Sequence, residues 1–331
     1  MLATRDPPLL DHPYLRENLW QVTPDAPLAY VESPDGCFEV PTEQALAFMR
    51  IRPHCTPHNS VASIAERSGV AAPEVAAMLA SLYTIGLVGA RETGDPIARL
   101  TRIVELGSNE LARDFIGNAL LDEPLPRTVL IGWLLETYHY VRDFPEAIAS
   151  AAALAPDGPL KGLLMRYADE ERGHERFVLA TLQNLGLSAR EVIESRPLVS
   201  TRAIGWLMRD LFAAAPSSVL LMAALVEAQE LPEGDAEAFQ AQVEARYDLP
   251  RGALAPYFEH QAIDSQLGHH RLFADNLDCF DLGDAGVRDT VVDRLHDLKH
   301  GFDLQGLEIR HYYGATTGAY LPRQPMRYGA L

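Results

Sequence analysis

The sequence predicts a mainly α protein, a helical bundle preceded by a small α+β domain, and three observations lead there. From residue 97 onward apolar residues recur at helical intervals, with no convincing alternating strand run. Residues 28–40 hold two short strand-like runs around a turn signal, and three helical patterns follow them. Between 128 and 185, two amphipathic patterns each break their apolar face with a Glu-x-x-His pair: Glu136/His139 and Glu171/His174.

Composition sets the outer bounds. The 331 residues are 47% hydrophobic and 22% charged, an ordinary globular balance with room for two domains. A net charge of −18 argues against nucleic acid or an anionic membrane as the partner, since both demand positive charge. Cys37, Cys55 and Cys279 are scattered and odd in number, which fits a reducing compartment. The N-terminal stretch has no apolar core of the secretory kind, and no long apolar run occurs elsewhere, so the expected location is the cytoplasm.

Residues 1–17, Pro-bearing and polar, read as an extended arm. LAYVES and CFEV flank Pro34-Asp35-Gly36, which predicts a hairpin over 28–40. Thr42 is placed as the cap of the first helix, Ser60 opens the second, Gly69 closes it, and Pro73 stands at the start of the third. A hairpin with three short helices, carrying SVASIAERSGV and LYTIGLV, resembles the small winged-helix domains related to PqqD over residues 18–90. That resemblance implies recognition of a precursor peptide or of a carrier-linked substrate. A DNA-reading winged helix is disfavoured because PEVAAMLASLYTIGLV holds no Lys or Arg. His54, Cys55 and His58 lie in a Pro-bearing connection with no fourth ligand nearby and are read as structural.

RETGDP, 91–96, reads as a linker. Helices are expected over 97–121, 127–154, 158–185, 188–194, 200–214, 216–231, 235–247, 251–277 and 285–300, with 301–331 as a tail. Residues three apart on a helix share a face, so each Glu-x-x-His aims a carboxylate and an imidazole at one point. Around Glu171 the apolar stripe runs Leu160, Leu164, Tyr167, then Glu171 and His174, then Val178, Leu182 and Leu185. Charge in such a stripe needs a partner. A third pair, Glu308/His311, falls in the expected tail and is taken as chance. Val219–Val226 is apolar on all sides, and Glu227 follows on the face of Leu220, Ala223 and Ala224, with Glu230 as its rival. Tyr257, His260 and Asp264 share a face completed by Leu267, and His269 and His270 follow. Carboxylates and imidazoles without thiolates favour iron or manganese over structural zinc.

These residues resemble the heme-oxygenase-like di-iron oxidases, close to the TENA-like and pyrroloquinoline-quinone-synthase helical domains, over about residues 97–300. The resemblance rests on Glu136 with His139, on DEERGH with Glu171 and His174, on Glu227, and on His260 with Asp264. It implies that these seven hold two irons and that dioxygen is a co-substrate. Two departures stand out: Leu267 where the family often has a final His, and Asp143 where some members place a first-helix His. One iron is therefore expected to be the weaker bound, with His174 or His269 as the replacement imidazole. The implied activity is that of an oxygen-activating oxidase or oxygenase acting on an amino acid, an amine or a peptide-linked substrate in a biosynthetic pathway, as a homodimer. The alternatives are a cofactorless oxidase of the pyrroloquinoline-quinone-synthase type, a hydrolase for which Cys279 is poorly placed as nucleophile, and a non-catalytic peptide-binding or regulatory protein.

Overall fold

In the computed structural model the chain divides into two units, Met1–Pro96 and Ile97–Leu331, and each is taken by itself. The structure describes residues 13–15, 20–21, 27–33, 36–56, 58–84, 88–89, 95–113, 116–227, 233–315 and 322–330. Most of the expected arm and linker, and the turn residues Pro34 and Asp35, lie outside them.

In the first unit the strands are β1 (Tyr14–Leu15), β2 (Trp20–Gln21), β3 (Leu28–Ser33), β4 (Gly36–Pro41) and β5 (Val88–Gly89). β3 and β4 pair as the expected antiparallel hairpin, in register from Leu28↔Pro41 to Ser33↔Gly36, and β2 adds to β3, while β1 pairs with β5. Three helices follow the hairpin: α1 (Thr42–Ile51), α2 (Val61–Ser68) and α3 (Ala72–Thr84). Ser60 caps α2 by accepting from the Ser63 N–H, and Gly69 ends it in the left-handed region at φ 68°. Thr42, expected as a cap, is instead the first helical residue; Pro41 holds the cap position and makes no side-chain bond. Phe48, Ile51, Ile64, Val75 and Leu79 form the core of this unit. Cys55 belongs to it too: its thiol donates to the Ile51 carbonyl at 3.3 Å, and burial pushes its pKa up to about 11.

The second unit is built of helices, with no strand among its described residues: α4 (Pro96–Arg113), α5 (Ile116–Asp122), α6 (Arg127–Leu154), α7 (Pro159–Glu170), α8 (Glu175–Asn184), α9 (Ala189–Glu194), α10 (Val199–Ala214), α11 (Ser218–Val226), α12 (Glu233–Arg246), α13 (Ala255–Leu267), α14 (Leu272–Asp275) and α15 (Ala285–Gly314). α6 packs against α7, α8, α10 and α15, which explains why it is buried along most of its length. The run Ser218–Ala223 of α11 is buried at every position, as an all-round apolar helix requires. Among the described residues no helix is long and apolar enough to cross a membrane.

Three departures from the sequence reading bear on the site. The helix expected over 158–185 breaks after Glu170, turns through Glu171–His174 with Gly173 at φ 92°, and resumes as α8. The helix expected over 251–277 stops at Gly268, φ 75°, and passes through a short 3-10 turn, His269–Arg271, into α14. Left-handed glycines cannot continue a right-handed helix, and both breaks sit on that rule. The third departure is α15, which runs to Gly314 through residues expected as tail and buries Ile309 and Tyr313. Bare backbone at Gly132 admits the Tyr313 ring, since a Cβ there would fall 2.2 Å from it. Glu308 accepts from the Ser200 N–H at 2.8 Å, so this third Glu-x-x-His joins α10 to α15.

Candidate metal centre

Four chain segments meet at one buried point: the turn after α7, the end of α11, the middle of α13 and the 3-10 turn after it. They bring together two groups of donors, Glu171/His174/His260/Asp264 and Glu171/Glu227/His269, with the ligand atoms of each group within 4.8 Å of one another. Glu171 is common to both. Its Oε2 lies 3.3 Å from His174 Nδ1 and its Oε1 lies 2.9 Å from His269 Nδ1, so one carboxylate faces each group with a different oxygen. Asp264 closes the first group, with Oδ1 3.2 Å from His174 Nδ1 and Oδ2 3.1 Å from His260 Nε2. Glu227 closes the second, with Oε2 3.3 Å from His269 Nδ1.

These contacts are convergences rather than hydrogen bonds. Glu171 Oε1, His174 Nδ1, Glu227 Oε2, His260 Nε2, Asp264 Oδ1 and His269 Nδ1 are all buried and without a hydrogen-bond partner. Leaving so many buried polar atoms unpaired is costly, and cations placed among them would satisfy all of them. The electrostatics agree. Burial alone would lower the imidazoles, yet Glu171 and Glu227 push His269 up to about 11, and Asp264 and Glu171 push His174 up to about 9. Burial raises Glu227, to about 7, and lowers His260. Without an ion the acids draw protons onto the imidazoles, the response of a site short of positive charge.

Outer contacts orient the donors. His269 Nε2 lies 3.2 Å from Glu170 Oε2, which leaves Nδ1 to face Glu171 and Glu227. The Tyr167 hydroxyl donates to Glu227 Oε1, leaving Oε2 facing inward. The rings of Phe177 and Tyr167 wall the two sides, against His260 at 6.0 Å and His269 at 4.7 Å.

Five of the seven residues singled out in the sequence therefore converge: Glu171, His174, Glu227, His260 and Asp264. Glu136 and His139 do not. The Glu136 carboxylate accepts from the Leu198 N–H at 2.9 Å and the Tyr313 hydroxyl at 2.8 Å, and His139 Nε2 meets Ser195 Oγ at 2.8 Å. Both are buried on α6 but satisfied largely by α15 and the α9–α10 connection, so burial of charge there has a structural answer. His269, one of the two imidazoles named as replacements for the family's final His, joins the convergent five, while Leu267 at that position is 44% exposed. The signal was Gly268: a helix ending there swings the next residue off the helical face and back toward Glu171. Glu230, the rival of Glu227, lies outside the described residues.

Residues 131–282, which include every residue of the two groups, match the family model described as iron-containing redox enzyme. No curated protein matches the chain. Among solved structures, a domain of unknown function with a heme oxygenase-like fold from Shewanella denitrificans is 18% identical with a TM-score of 0.55, covering 70% of this chain and 100% of that one. A TenA homologue from P. horikoshii is 16% identical, TM-score 0.47, over 65% of this chain and 98% of that one. A TenA homologue from Pseudomonas syringae is 13% identical, TM-score 0.47, over 66% and 98%. The second unit has a heme-oxygenase-like helical fold.

Proposed function

We propose, from that fold and the convergent donors, that the chain is an oxygen-activating non-heme di-iron oxidase or oxygenase. The observation that carries the reading is Glu171, a buried carboxylate whose two oxygens serve two separate donor groups. In this reading His174, His260, Asp264 and Glu171 would hold one iron, and Glu227, His269 and Glu171 would hold the other. Three carboxylates and three neutral imidazoles offset most of the charge of two ferrous ions, and a donor set without thiolate suits iron. Bound iron supplies the electrons that reduce dioxygen and so permits oxidation of an amine nitrogen or a C–H bond. The match to an iron-containing redox family supports the same class.

The protein's own part is to hold and orient. Glu170 fixes the His269 tautomer, Tyr167 fixes the Glu227 rotamer, and burial of Glu171 and His174 keeps bulk water out. A cavity of about 330 Å³ between α4 and the α11 and α14 elements includes Ala224, one turn before Glu227, and His270, next to His269. It is large enough for a small substrate or the end of a longer one. Under the same proposal the first unit presents a peptide or carrier-linked substrate. A cofactorless oxidase leaves the convergent donor atoms without a role.

Anaerobic loading with ferrous ion, metal analysis and exposure to dioxygen test the reading. The expected result is two irons per chain, an optical change on oxygenation, and loss of both in Glu171→Ala. Iron-free protein after loading, or oxygen consumption undiminished in that variant, would overturn it.

A further inference from the structure

A second cavity, of about 100 Å³, lies between α6 and α10, and none of the six convergent residues lines it. Its opening comes from Gly205 on α10. A Cβ at that position would meet only Arg209 Nη1, at 3.3 Å, the tip of a flexible side chain. Glycine inside a helix costs about 1 kcal/mol relative to alanine, and here it leaves a recess on the face toward α6.

The walls carry opposite charges. Arg202 and Arg209 stand on α10, and Asp143 stands on α6. Both guanidiniums are held in place: Arg209 donates to the Gly205 carbonyl at 2.9 Å, and Arg202 lies over the Trp206 ring at 5.2 Å. Asp143 is steadied by Arg142 Nε at 3.0 Å. His139 belongs to the same lining. Ser195 Oγ, 2.8 Å from His139 Nε2, gives its own proton to the Val192 carbonyl at 2.6 Å, so it accepts from the ring. The Nδ1 of His139 is then a lone pair, and it has no hydrogen-bond partner. Burial, with Arg142 and Arg196 beside it, lowers this imidazole to about 3, so it stays neutral.

We propose that this recess binds a small free α-amino acid, its carboxylate against Arg202 and Arg209 and its ammonium group against Asp143. Fork-shaped guanidiniums suit a carboxylate, and the Asp143 carboxylate, held through Oδ1 by Arg142, offers Oδ2 to an ammonium group. The proposal does not depend on the metal reading, because the recess and the donor groups share no residue.

The test uses full-length protein freed of metal with a chelator and titrated calorimetrically with glycine, alanine and serine, with acetate and lactate as ligands lacking the ammonium group. Saturable binding of at least one amino acid is expected, with acetate and lactate at least tenfold weaker. Arg209→Gln and Asp143→Asn should each weaken it at least tenfold. Gly205→Leu should fill the recess and abolish binding with no fall in Tm. Absence of saturable heat with every amino acid, equal affinity for lactate, or binding unchanged in Arg209→Gln overturns the proposal.

Discussion

Glu136 and Glu171 are both buried glutamates placed three residues before a histidine, and their neighbours give them different work. Glu136 is answered by hydrogen-bond donors: the Leu198 N–H and the Tyr313 hydroxyl both reach it, though burial still raises its pKa. Glu171 is answered by imidazoles, and its pKa is lowered although burial pulls the other way. Exchange with the neutral amide separates the two. Glu136→Gln should keep full iron content and lose about 1–2 kcal/mol of stability, while Glu171→Gln should fold and lose iron from both groups. Metal analysis beside thermal melts reads both outcomes. Iron uptake should also depend on pH. In the metal-free chain His174 and His269 are raised to about 9 and about 11, so at neutral pH both hold protons that a metal must displace. Affinity should therefore rise with pH between 6 and 8, by about tenfold per unit for each iron, since each displaces one of these two protons. A competition titration against a chelator at several pH values gives the slope, and a flat profile would contradict the donor assignment.

Helix ends, more than helix faces, position this site. Glu171 follows the last residue of α7, Glu227 follows the last residue of α11, and His269 follows the glycine that ends α13. Periodicity alone reads these stretches as longer helices, because an apolar stripe continues across each break: Val178 and Leu182 of α8 keep the phase set by Leu164 and Tyr167. Ser60 and Gly69, whose local chemistry is self-contained, were legible at once. Gly268→Ala is the test at this scale. A Cβ in the left-handed region costs about 1 kcal/mol, and relief of that strain toward helix would carry His269 away from Glu171. Iron stoichiometry should fall from two toward one per chain, with a small loss in Tm. Retention of two irons would show that His269 is not held by this turn.

At the scale of the whole molecule, every donor lies in Ile97–Leu331, so that unit alone should load the same iron as the full chain. Removing the metal should lower its melting temperature, since ligand at a thousandfold its Kd stabilises a folded state by about 4 kcal/mol. Hydrogen exchange should quicken in the α7–α8 turn, the end of α11 and the end of α13, the segments whose buried donors would lose their shared ions. The sequence by itself determined the helical class, the hairpin before it, and the burial of Glu171, His174 and His260, because periodicity reports which face of an element turns inward. It could not report what that face meets. Whether a buried carboxylate finds a backbone N–H, as Glu136 does, or a ring of imidazoles, as Glu171 does, depends on residues tens of positions away. The tertiary structure alone decided that, and with it the exclusion of His139 and the choice of His269 among the replacements the sequence offered: convergence is a property of distances between segments, set by how the helices pack and where they break.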